Sequence, residues 1–276
     1  MNLLLPVSHD SAFPDAVSLA IDTAKMHGGK IRILSVVDER EIQRVEEGAP
    51  PGAIHLAQHA AEEVERRLTD EAAALVREAT HRCTLAGVAA QGDVREGEPD
   101  RELVAAAGGA DVLVAAMASH FDPGLDDAAG KFVLAVMREA GIPVLLASSP
   151  FRPVRTVVVG CGGGIRTERA VGTMTRLSLW REGVRGILLA VDDDPEKGQS
   201  RLATARQLLS DAGYPPWEEQ VIPGPRRETF HAFCEAQKAD VVVLGGWGEH
   251  WWHNLLGQSI TGRLLEEGRR NVFLCM

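Results

Sequence analysis

Positive charge is in short supply in this chain. Lys and Arg number 29 against 39 Asp and Glu, a net charge of −10. That balance opposes nonspecific attraction to nucleic acid and to anionic lipid, both of which rely on a cationic face, so neither is expected as a partner. Long apolar runs are also missing. Stretches such as Val241-Val242-Val243-Leu244 fall far short of the roughly 20 residues that cross a bilayer. At the start of the sequence, Pro6 and His9-Asp10 cut off Leu3-Leu4-Leu5 and no basic segment precedes them. No secretory signal is therefore expected, and a cytoplasmic location is. Cysteine is scarce and scattered: Cys83, Cys161, Cys234 and Cys275 form no CxxC pair, the usage of reduced thiols rather than of a disulfide scaffold. Aromatic residues make up only 5%, yet Trp247, Trp251 and Trp252 fall within six residues.

What is present is a globular composition, 45% hydrophobic and 25% charged over 276 residues, a length that favours two domains. Short β-branched runs alternate with longer amphipathic stretches. In the first half, strands are expected at residues 3–7, 31–37, 88–90, 111–116 and 142–147. The helices between them are expected near 12–24, 55–81, 103–107 and 132–140. In the second half, strands are expected at 156–160, 186–191, 219–222, 240–245 and 271–275. Helices are expected there near 167–180, 200–212 and 228–237, with another beginning near Ser259. The two halves superimpose as sequences, most clearly at Gly109-Ala110-Asp111-Val112-Leu113-Val114 and Lys238-Ala239-Asp240-Val241-Val242-Val243. Polar residues and two prolines at 148–153 mark the join, so the expected units are 1–150 and 151–276. Strands alternating with helices at this spacing predict an α/β protein with two tandem, doubly wound parallel sheets of five strands each.

In such a sheet, ligands sit at the carboxyl ends of the strands. In the second half, both of the informative loops there are rich in glycine: Gly160-Cys161-Gly162-Gly163-Gly164 and Gly245-Gly246-Trp247-Gly248. Glycines let the backbone approach a ligand and aim its amides, and a helix N-terminus adds partial positive charge, together a phosphate cradle. Tight turns alone are the competing explanation.

The segment from Asp240 to Leu265 resembles the nucleotide loop of the universal stress protein (UspA) family, G-x2-G-x9-G-[ST]. Gly245 and Gly248 match the first pair, and Gln258 and Ser259 stand at the final pair, with Gly257 one residue early. The resemblance implies an adenine nucleotide alpha hydrolase-like fold with strand order 3-2-1-4-5. It implies that Gly245, Gly248 and Ser259 cradle the phosphates of ATP or AMP, with Gly257 or Gln258 shaping the turn and Mg²⁺ accompanying ATP. Val191 matches the valine that borders adenine, and Val36 is its counterpart in the first half. Cys161, followed by Gly162, stands where the family has an Asp near the adenosine and phosphates, and Ser8 stands there in the first half. In that half, Ala116 and Ser119 replace the first two glycines and Gly130-Lys131 the final pair, so its site is expected to be degenerate. The family also pairs through its final strands, which implies pairing of 142–147 with 271–275 within this chain and allows a homodimer.

The expected function is a cytoplasmic stress-response sensor or regulator that binds an adenine nucleotide in the second half and acts on a protein partner. An interaction scaffold with closed clefts is the alternative, and a slow ATP hydrolase using Glu249 is a third reading. For Cys161 a buried inert thiol is favoured over a nucleophile. For His55 and His59, at i and i+4, a solvated helix face is favoured over a metal pair. His250 and His253 flank Trp251-Trp252 and are candidates for phosphate contact. The Trp cluster has three competing roles: stacking on a base, capping the cleft, or packing between the two halves, the last being favoured.

Overall fold

In a computed structural model, the protein is described over residues 1–8, 13–47, 54–117, 136–245, 264 and 267–275. The first half runs β1 (Asn2–Pro6), α1 (Phe13–His27), β2 (Lys30–Asp38), α2 (Glu39–Glu47), α3 (Ile54–Leu85), β3 (Ala90–Gly97), α4 (Pro99–Ala107), β4 (Val112–Ala116), a π-helical turn α5 (Val136–Ala140) and β5 (Val144–Ala147). The second half continues with β6 (Thr156–Gly160), α6 (Ile165–Arg176), β7 (Arg185–Val191), α7 (Pro195–Asp211), β8 (Glu218–Ile222), α8 (Arg226–Ala236), β9 (Val241–Gly245) and β10 (Asn271–Cys275).

The expected two sheets are joined edge to edge into one. All ten strands form a single sheet in the order β3-β2-β1-β4-β5-β10-β9-β6-β7-β8. Each half keeps the order 3-2-1-4-5 with parallel pairing. The join is antiparallel, with Val144 opposite Leu274, Leu145 opposite Phe273 and Leu146 opposite Val272. These residues are almost wholly buried, and their pairing covers two apolar strand edges that would otherwise be open to other chains. Two apolar clusters follow, and each contains residues of both halves. One holds Leu5, Val17, Val159 and Val171, the other Leu4, Leu103, Val158 and Phe230. Adjacent residues of β1, Leu4 and Leu5, and of β6, Val158 and Val159, divide between the clusters as the strand period requires.

The segment between the halves is tied down by side chains. Asn271 Oδ1 accepts the Ser148 amide at 2.8 Å, and the α1 carboxylates of Asp15 and Asp22 accept the Phe151 and Val154 amides at 2.9 and 3.3 Å. Burial raises the Asp22 pKa, against the lowering effects of the Val154 amide and Lys25.

Local chemistry explains several boundaries. Gly28, at φ 64°, ends α1, and Asp194 caps α7 by accepting the Glu196 and Lys197 amides, the usual role of an Asp before a Pro at the first helical position. The structure also corrects some expectations. The third strand begins at Ala90 and runs to Gly97 rather than lying at 88–90. It is an edge strand with mostly half-exposed residues, so it has no apolar run to mark it. Helix α2 has no counterpart among the expected elements. The helix expected to end at Trp180 ends at Arg176. Trp180 instead takes φ 55°, is fully buried, and meets Phe273 edge-on at 5.7 Å.

Candidate functional site

The carboxyl ends of β6, β7 and β9 meet in the second half. The Cys161 amide donates to the Leu189 carbonyl at 2.8 Å, extending the β6–β7 ladder by one residue. Its side chain turns inward: Cys161 is 3% exposed, and burial pushes its thiol up to about 12. A thiol held protonated is no nucleophile, so the inert reading holds. Gly162 follows, exposed, with nothing within 4 Å of where a Cβ would stand. Gly163 and Gly164 take φ 83° and 70° in succession, a path that residues with a Cβ rarely follow. It turns the chain into α6.

Helix α6 starts with no side-chain cap, its N-cap being Gly164. The Gly163 amide is held by Thr167 Oγ1 at 3.2 Å. The first amides of a helix have no partner within it and carry partial positive charge, and here they stand at the carboxyl edge of the sheet. The same first turn presses on the end of β9. A Cβ on Gly245 would overlap the Arg166 carbonyl and lie 2.8 Å from Ala170 Cβ. Gly245 thus has a packing reason to be glycine, and that packing also brings the start of the glycine-rich loop against the start of α6.

Val191, 7% exposed, ends β7 beside this turn. Sequence reasoning missed what lies over it. From α7, Arg201 donates Nη1 to the Val191 carbonyl at 3.2 Å and pairs through Nη2 with Asp192 at 2.6 Å, while its Cγ lies 3.0 Å from the position of a Cβ on Gly163. Arg201 therefore bridges the turn after β6 and the end of β7. Nothing in the spacing of α7 marks it, because the contact depends on how the helix crosses the sheet. Of the expected site residues, Gly245, Cys161, Gly162 and Val191 converge. Gly248, Gly257, Gln258 and Ser259 lie outside the described residues, as do Trp247, Trp251, Trp252, Glu249, His250 and His253.

The equivalent place in the first half is built differently. A cavity of about 310 Å³ lies at the ends of β1 and β2, lined in part by Ser8, Val36, Asp38, Glu41, Arg67 and Glu71. Three of these are acidic and one is basic. Asp38 is held by Arg40 at 2.7 Å, and Arg67 stands 3.5 Å from Glu71. This charge balance is unsuited to phosphate groups. Ser119, Gly130 and Lys131 lie outside the described residues.

Other candidates fall away. His55 and His59 are exposed, and His59 lies 3.4 Å from Glu62. Among the described residues no cluster of three His, Cys, Asp or Glu could hold a metal. No helix among them is long and apolar enough to cross a membrane.

The sequence model of the universal stress protein family matches residues 1–148. The match falls on the half in which Ala116 and Ser119 stand in place of the loop glycines. A universal stress protein from Archaeoglobus fulgidus DSM 4304 is similar over 99% of this chain and 97% of its own, at 14% identity and TM-score 0.67. A functionally unknown protein, PA1789 from Pseudomonas aeruginosa PAO1, is similar over 99% of this chain and 92% of its own, at 11% identity and TM-score 0.55. A universal stress protein solved in complex with cAMP aligns with 44% of this chain and 96% of its own, at 22% identity and TM-score 0.38. No curated protein matches the sequence.

Proposed function

Since the chain belongs to the universal stress protein family, we propose that it is a cytoplasmic stress-response sensor or regulator that binds an adenine nucleotide, ATP or AMP, in its second unit, residues 151–276. The observation that carries this reading is the meeting of the uncapped start of α6 with Gly245 at the carboxyl edge of the sheet. Backbone amides and a helix terminus supply the anion cradle there, which suits a chain with a deficit of cationic side chains. In this reading Gly162 and Gly245 face the phosphates and Val191 borders the base, with Gly248, Ser259 and either Gly257 or Gln258 completing the loop. Mg²⁺ accompanies ATP as phosphate counter-charge. The base must share the end of β7 with Arg201, which already donates to the Val191 carbonyl, so occupancy of the cleft is coupled to the position of that side chain, a change that a protein partner can sense.

Calorimetry of the full chain with ATP and AMP tests this. Gly162→Val adds bulk into open space, so it keeps the fold while blocking the turn. The expected result is saturable binding at one site per chain, lost in Gly162→Val and in Gly248→Val. Absence of ATP and AMP binding overturns the proposal and favours the scaffold reading. A second reading rests on the first-half cavity, which has room for an uncharged or cationic group. Binding that survives Gly162→Val and is lost on filling that cavity with Val36→Trp favours it.

A further inference from the structure

The opposite edge of the sheet, at the amino ends of β1, β2 and β3, holds a feature that the nucleotide reading does not use. A cavity of about 360 Å³ is lined there by Asn2, Lys30, Arg32, Gln91 and Gly109 together with small apolar residues such as Ala90. Strand register places Asn2 beside Lys30, and Leu4 beside Arg32, which in turn lies beside Gln91. With the side chains of a strand alternating between faces, Asn2, Lys30, Arg32 and Gln91 share one face. It is the face of Leu4 and Leu34, which pack with Leu103 and Ala107 of α4.

Arg32 is out of place by ordinary accounting. It is half-buried, and its Nη2 is shut off from solvent without a hydrogen-bond partner. A guanidinium carries five donors and stays charged, and leaving a buried donor unmade is costly. Asn2 holds two acceptors at this edge. The Asp111 carboxylate takes the Asn2 amide at 2.7 Å, and the Gly109 carbonyl takes Asn2 Nδ2 at 3.2 Å. Lys30 adds a second cation at the mouth, and none of the residues lining the cavity is acidic. Two cations, two side-chain amides and no carboxylate make a cavity that matches a planar or tetrahedral anion.

We infer that this cavity is a binding site for a small organic anion, held by a phosphate or carboxylate group between Arg32 and Lys30, with its apolar part against Ala90. The site is remote from the glycine turn. It lies at the amino ends of the strands, whereas Gly162 and Gly245 lie at the carboxyl ends, so the two sites can be filled independently.

The test is nuclear magnetic resonance of the full chain, titrated with inorganic phosphate and separately with acetate, against chloride at matched ionic strength. Saturable shifts of the Lys30, Arg32, Gln91 and Gly109 amides are expected with at least one of the two anions, and which one acts tells phosphate from carboxylate chemistry. Arg32→Met, which keeps the length and removes the charge, is expected to weaken that binding about tenfold or more, while Gly162→Val leaves it unchanged. If Arg32→Met does not fold, Lys30→Gln at its exposed position serves in its place, with a severalfold loss expected. Shifts absent with both anions, equalled by chloride, or undiminished in the charge-removing variant overturn the inference. Because Gly162→Val disables the proposed nucleotide turn and spares this site, failure of one reading is distinguishable from failure of the other.

Discussion

The ends of β4 and β9 occupy the same place in the two halves, yet one closes with Ala116 and the other with Gly245. The sequence that follows holds glycines at 246 and 248 in the second half and lacks them at the matching positions in the first. Ala116 is buried with its Cβ accommodated, whereas a Cβ on Gly245 would overlap the Arg166 carbonyl. At Gly245 the obstruction is the first turn of α6. In the second half α6 is drawn onto the strand end, which leaves a glycine turn bridged by Arg201. In the first half the ends of β1 and β2 border an open cavity with an excess of acids. The same fold thus yields a closely packed glycine turn in one half and an acidic cavity in the other.

The largest test of that contrast is to exchange the two residues. Gly245→Ala is expected to cost about 3 kcal/mol, the upper range for overpacking, because the obstruction is backbone and cannot rotate away. Ala116→Gly is expected to cost about 1 kcal/mol, from added chain entropy and a lost methyl contact. Urea denaturation of both variants checks the ratio, and equal losses would break the comparison.

Removing the bridge is the next test. Arg201→Met is expected to cost about 2 kcal/mol, since Asp192 loses a charged hydrogen bond in a largely buried setting. It should also raise affinity for ATP about tenfold by clearing the guanidinium from beside Val191. Denaturation and calorimetry on the same variant read the two effects, and a fall in affinity would mean that Arg201 assists the ligand rather than competing with it.

The smallest effect concerns pH and the ends of the two equivalent helices. Helix α1 ends with His27, and α6 ends with Arg176. Burial, helped by the nearby amino terminus, lowers the His27 pKa to about 4, and its Nε2 is buried without a partner. Between pH 6.5 and 4 the unfolded chain therefore binds a proton that the folded chain refuses, so stability is full above pH 6.5 and falls as the solution is acidified through this window. Allowing for the partial exposure of the ring, the loss amounts to about 1 to 2 kcal/mol. His27→Gln is expected to flatten this part of the stability profile, and thermal melts across the range check it.

Much of this architecture was legible in the sequence. The bounds of β6 and β10 follow from their apolar runs, and the strand order within each half and the β5–β10 pairing follow from the family resemblance. Edge strands were harder. β3 is half-exposed and lacks an apolar run to mark it, and α2 has only Ile42 and Val45 as apolar residues, too short a stripe to stand out. At the candidate site, the glycine turn after β6 is legible because a glycine cluster at a strand end is a local feature, and Val191 was named from the family resemblance. Arg201, Arg32 and the acidic cavity were not, because each arises where elements remote in sequence cross.

By itself the sequence determined the alternation of strands and helices and the deficit of cations. These are properties of periodicity and composition, and each is carried by residues close together in the chain. The tertiary structure alone decided that Gly245 must be glycine, that Arg201 bridges the turn after β6 and the end of β7, and that an arginine with a buried, unpartnered Nη2 lines a cavity at the far edge. Each of these depends on which surfaces meet and how closely, a matter of packing distance that no local pattern encodes.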